Sequence, residues 1–138
     1  MAETFYYLRR HGYIELIPQG EDMLMKLTQK GKERVVKMNY RRIKISRNAK
    51  WDNNWWFVIA DIPTELRTQA NLFRKKLKEL GLFTLQRSVW VYPFDPRNEL
   101  AFIAKTCGLE QYITTFKAQE LESEDEYNLK NFFKGILK

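Results

Sequence analysis

The sequence predicts an α+β fold whose main domain follows the order β-α-β-β-α-β, an antiparallel sheet with two helices on one face. Three observations lead there. Trp55-Trp56-Phe57-Val58-Ile59-Ala60 is a continuous apolar run ending at Asp61, too short for a helix, so it reads as a central strand covered on both faces. Leu66, Ala70, Phe73, Leu77 and Leu80 recur at helical spacing up to Gly81, with Arg67, Arg74, Lys75 and Lys78 between them. A second apolar stripe, Leu100, Ile103, Ala104 and Cys107, follows Pro96, which suits the first turn of a helix.

The remaining elements fall into place around these three. Thr4 to His11 reads as a short helix closed by Gly12. Tyr13 to Ile17 and Met23 to Leu27 read as paired strands around a turn-rich Pro18-Gln19-Gly20-Glu21-Asp22. Thr28 is a candidate N-cap for a helix running to about Arg42, with Val35, Val36 and Tyr40 expected to face inward. Pro63 ends the central strand and Thr64 can cap the helix that follows. Phe83 to Gln86, Ser88 to Tyr92 and Tyr112 to Leu121 read as three further strands. Glu122 to Glu126 is an acidic break, after which Leu129, Phe132, Phe133 and Ile136 outline a terminal amphipathic helix. That helix must cover either the open sheet face or a second subunit. The expected divisions are residues 1–48, 49–122 and 123–138.

Composition narrows the function. With 44% hydrophobic and 14% aromatic residues, the 138-residue chain can bury a core. No stretch approaches the roughly 20 apolar residues of a membrane helix, and the first residues lack the basic, apolar and small-residue order expected of a signal peptide. Cys107 is alone, which fits a reducing cytoplasm, and His11 is the only histidine, which removes multi-histidine metal sites within one chain. No Walker loop, dinucleotide fingerprint, zinc spacing or acyl-transfer triad occurs. The net charge of +7 is uneven: residues 1–50 hold 12 Lys/Arg against 5 Asp/Glu, and residues 51–138 hold 12 of each. The excess suggests a polyanion-facing segment attached to a neutral domain, the plainer alternative being a solubilising arm.

The motif Asp61-Ile62-Pro63, with Arg67, Leu72 and Leu77 on the helix, Gly81, and Gln86-Arg87-Ser88-Val89-Trp90-Val91-Tyr92-Pro93, follows in that order. It resembles the central domain of the phenylacetate-catabolism repressor (PaaX-type) family. It is also similar to the second CRISPR-associated (Cas) protein family, small adaptation subunits with metal-dependent nuclease activity in some members. The two share a ferredoxin-like domain, and Pro63, Trp90 and Pro93 lean toward the repressor branch. Residues 5–15 look like the end of a recognition helix entering a wing, and Leu27-Thr28-Gln29-Lys30-Gly31-Lys32 like the exit from it. The first segment therefore resembles the second half of a winged helix, whose first two helices would precede this sequence.

The resemblance implies a DNA-binding, possible RNA-binding, transcriptional regulator that is a cytoplasmic homodimer through its ferredoxin-like domain and needs no cofactor. The alternative it implies is a Mg²⁺-dependent endonuclease with a CRISPR integrase partner. In that alternative Asp61 would be catalytic and would share a cation with its counterpart across the dimer. Read from the residues alone, Asp61 better suits a turn, accepting backbone N–H bonds, because no second acidic residue lies nearby in sequence. Candidate phosphate contacts are Arg9 and Arg10, then Lys30, Lys32, Arg34, Lys37, Arg41, Arg42, Lys44 and Arg47. Arg87 is a further candidate, for phosphate or for solvent, and Ser88 reads as a strand residue with a hydroxyl partner. The acidic Gly20-Glu21-Asp22 tip is a poor neighbour for phosphate, which favours the basic helix as the docking surface. Of Trp55 and Trp56, successive strand positions, at most one can lie on any given surface to stack on bases.

Overall fold

The computed structural model describes residues 2–47 and 50–137. They divide into two compact units, Met1–Ile43 and Lys44–Lys138. Among them no helix is long and apolar enough to cross a membrane.

In the first unit α1 (Ala2–Arg10) leads through Gly12 into β1 (Ile14–Gln19), which pairs antiparallel with β2 (Asp22–Leu27), and α2 (Gln29–Arg42) follows. The turn is shorter than expected: Pro18, Gln19 and Asp22 belong to the strands, and only Gly20 and Glu21 connect them. A two-residue loop of this kind needs positive φ, which Gly20 supplies at 66°. Thr28 caps α2 as expected, its hydroxyl accepting from the Gly31 N–H at 3.0 Å. Val35 and Val36 do not face inward. They are 40% and 42% exposed, because the small hairpin offers no apolar layer behind the middle of α2. Tyr40 is half-buried.

The second unit is a ferredoxin-like sheet of order β4-β5-β3-β6, formed by β3 (Trp55–Ala60), β4 (Phe83–Gln86), β5 (Val89–Tyr92) and β6 (Ile113–Ala118). Its helices are α3 (Arg67–Glu79) and α4 (Arg97–Cys107). The alternation of β3 decides the layers. Val58 and Trp90 pair across β3 and β5 on the face where Phe73 of α3 meets the Trp90 ring edge-on at 6.1 Å. Trp55 and Phe57 point the other way. That face is covered by α5 (Ser123–Phe132) and its exit: Phe133 lies 5.9 Å from Trp55, and Phe132 meets Phe83 edge-on at 5.0 Å. So the terminal helix folds onto its own sheet, and β3 is buried on both sides as its sequence required.

Several expected details differ. Thr64 does not cap a helix. It opens a 3₁₀ turn, Thr64–Leu66, and α3 starts at Arg67 without a side-chain cap. The last strand is shorter than Tyr112–Leu121, because a 3₁₀ turn holds Glu110–Tyr112 and the pairing with β3 ends at Ala118. The acidic run at Glu124–Glu126 is the first turn of α5 and not a break, since carboxylates there suit the positive end of the helix dipole. Ile136 lies beyond that helix.

Candidate nucleic-acid interface

The basic surface of the first unit is built on a backbone knot where α1, β1 and α2 meet. Thr28 donates its N–H to Tyr13 O at 3.0 Å and its hydroxyl to Gly12 O. Lys30 Nζ donates to His11 O at 2.9 Å. Gly31 is buried so close to β1 that a Cβ there would stand 1.9 Å from Tyr13 O. Only glycine lets the first turn of α2 sit against that carbonyl. The Tyr13 ring lies under Lys30 at 4.9 Å and Arg34 at 5.5 Å, and Tyr7 tilts against His11 at 4.2 Å. These contacts fix the start of α2 through backbone and cation–π interactions, with little buried apolar surface.

From that anchor α2 projects its cations. Lys30, Arg34, Lys37 and Arg41 recur at four-three-four spacing, which sets them on one face over about 16 Å of helix. All four are exposed, as are Lys32 and Arg42 on other faces of α2, Arg9 and Arg10 in the last turn of α1, and Lys44 and Arg47 after α2. No ion pair neutralises any of them among the described residues. The first turn of α2 contains no acid. Such a surface attracts phosphate without reading bases.

The second unit places Asp61 at the exit of β3, exposed, its N–H donated to Tyr112 O at 3.0 Å. The Asp61 carboxylate accepts no hydrogen bond from a described residue, so the turn-capping reading is not what the side chain does. Among the described residues no group of three or more His, Cys, Asp or Glu is placed to hold a metal ion. One chain alone therefore does not fit a divalent cation, and Asp61 would be its sole contribution to a shared one. Arg87 is exposed on the turn between β4 and β5, beside Ser88, whose carbonyl accepts from Ala60 N–H at 3.0 Å. Ser88 thus lies in the turn and not in the strand. Cys107 is half-buried.

Sequence reasoning missed a second cation–aromatic cluster. Arg97 stacks over Trp56 at 4.7 Å, Lys117 lies 5.8 Å from the same ring, and Arg97 grips Asp95 through both carboxylate oxygens. The Arg97 hydrogen bond holds the Asp95 carboxyl below its ordinary range, and Asp95 raises Arg97 in return. Trp56 is buried, so this cluster closes the strand end and offers no stacking platform.

Residues 48–129 match the family model for the PaaX protein central Cas2-like domain. The chain belongs to the PaaX family. The PaaX match runs from before β3 into α5, and so takes in the whole four-stranded sheet, α3, α4 and the first part of α5. No curated protein matches the chain.

Proposed function

We propose that this PaaX-family protein is a transcription regulator that docks on double-stranded DNA through the exposed cations of α2, while its ferredoxin-like domain pairs with a second copy. A cytoplasmic setting suits its lone reduced thiol, Cys107. The observation that carries the reading is the exposed face of Lys30, Arg34, Lys37 and Arg41, which meets no carboxylate among the described residues, supported by Arg9 and Arg10. Family membership supports the regulator class. Contacts of this kind position a protein on the phosphate backbone, so affinity falls steeply with salt and varies little with sequence.

The test is an electrophoretic mobility shift on duplex DNA over a salt series. The expected outcome is a shift at ~50 mM salt that weakens linearly in a log–log plot. Lys37→Ala with Arg41→Ala should flatten the slope by about two, one per lost phosphate contact, equally on unrelated sequences. These two are the informative positions, since neither takes part in the knot around Tyr13. Absence of a shift at the lowest salt, or an unchanged slope in the double variant, defeats the reading.

A further inference from the structure

The balanced charge of residues 51–138 hides a separation. Residues 67–79, the span of α3, hold five Lys/Arg and one Glu, whereas residues 120–126 hold five Asp/Glu and no Lys or Arg. The two runs lie on opposite faces of the four-stranded sheet, since α3 packs Phe73 on the Trp90 side while α5 and its exit cover the Trp55 side. Ala70, Phe73, Lys76 and Leu77 form the buried face of α3. On the outer side Arg67, Asn71, Arg74 and Lys78 repeat the four-three-four spacing of the α2 cations, over about 16 Å. Arg67, Asn71 and Lys78 are exposed, with exposed Lys75 beside them, and Arg74 is half-buried. The one acid of the helix, Glu79, is taken by buried Lys76 at 3.7 Å. Asp61 and Glu65 precede the helix and leave its body free of unpaired acid. No carboxylate among the described residues pairs with Arg67, Arg74, Lys75 or Lys78.

Helix stability does not account for this stripe. The helix dipole favours cations in the last turn, which covers Lys76 and Lys78. Arg67 instead opens the first turn, where the dipole disfavours a positive charge and no acid offsets it. Arg74 adds a second cost. Its Nη1 donates to Asn71 Oδ1 at 3.4 Å, but its Nε is buried with no hydrogen-bond partner, the one such side-chain atom among the described residues. A half-buried guanidinium that meets no anion is short of the partner its planar fork suits, a carboxylate or a phosphate. We propose that α3 is a second phosphate-binding surface, carried by the ferredoxin-like domain itself and independent of α2, which takes the backbone of double-stranded DNA. Exposed arginine and lysine with one amide fit phosphate oxygens. A duplex suits the helix better than a single strand: the exposed aromatic residues of this unit, Phe116, Tyr127 and Phe132, lie on β6 and α5, and none lies on α3 to stack on an unpaired base. The acids of α5 lie behind the sheet, away from a duplex docked on α3.

The experiment is a mobility shift of the full chain on duplex DNA over a salt series, with each helix altered in turn. Arg67→Ala with Lys78→Ala should flatten the log–log slope by about two, and Arg74→Gln by about one. Both effects should appear with α2 intact and again in the Lys37→Ala, Arg41→Ala chain. Lys134→Ala, at an exposed cation just past α5, should leave the slope unchanged. Urea unfolding of the same variants separates docking from helix stability: a loss of stability with an unchanged slope means that the cations serve only the helix, and overturns the inference. So does a Lys134→Ala chain whose slope flattens as much as that of the α3 variants, or single-stranded DNA of equal length bound as tightly as the duplex. If the α3 pair flattens the slope and the α2 pair does not, the reading of α2 falls and this one holds. The reverse result overturns this one alone.

Discussion

The two units of this chain are held together by different forces. Among the described residues, every buried hydrophobic one except Ile14 lies in residues 44–138, where Trp55, Val58, Phe73, Leu77, Val91 and Leu129 are sealed between layers. The first unit leaves Phe5, Tyr6, Met23, Met25, Val35 and Val36 exposed, and it keeps its shape through the Thr28, Lys30 and Gly31 contacts around Tyr13. The second unit resembles an ordinary small domain stabilised by area removed from water. Among the described residues, the contacts that hold the first unit are local and polar.

The largest expected effect tests the core side of this contrast. Phe73 is wholly buried and packs edge-on against Trp90, so Phe73→Ala should cost about 3–5 kcal/mol of the stability of the second unit. Native-state hydrogen exchange would show this as faster exchange throughout β3, β5 and α3, with the amides of β1 and β2 unchanged. Equal acceleration in both units would mean that they unfold as one, and the contrast would fail.

A smaller effect sharpens the polar side. Gly31→Ala puts a methyl group against the Tyr13 carbonyl, a backbone atom that cannot swing away, so the start of α2 must shift. Overpacking of this kind costs about 1–3 kcal/mol. It should appear as loss of protection in β1, β2 and α2 alone, together with weaker DNA binding, since the cations of α2 are aimed by that anchor. If protection and DNA affinity both survive, the knot is not what holds the unit.

The same contrast explains what was legible beforehand. The strand Trp55–Ala60 announced itself because burial on both faces demands an unbroken apolar run, and Gly81 marked the end of a helix because its φ of 91° suits glycine. In the first unit the pattern of Val35, Val36 and Tyr40 shows which side of α2 is apolar, but periodicity does not say whether anything covers that side. Pro18 passed for a turn residue because its tolerance in β1 depends on register, which arises only on pairing. The cations were readable singly. Their anchor was not, because the approach of Gly31 to Tyr13 joins residues eighteen apart through backbone atoms that carry no sequence signal.

The smallest effect concerns an ion pair in the well-packed unit. Asp95 and Arg97 meet at 2.8 Å, yet their side chains are 44% and 61% exposed, so solvent screens the pair and its contribution is small. Its sign follows from linkage. The folded carboxyl titrates below the ordinary 3.8, so the stabilisation is fully present above pH 3.8 and is lost as the pH falls through the lower folded value. Asp52, lowered chiefly by its hydrogen bond with Asn54, acts in the same direction. Urea unfolding of the second unit should therefore shift only slightly between pH 7 and pH 4, then more steeply below, and Asp95→Asn should remove part of the steep limb. A large loss above pH 4 would mean that charges, and not the sealed core, hold the second unit, which would erase its difference from the first.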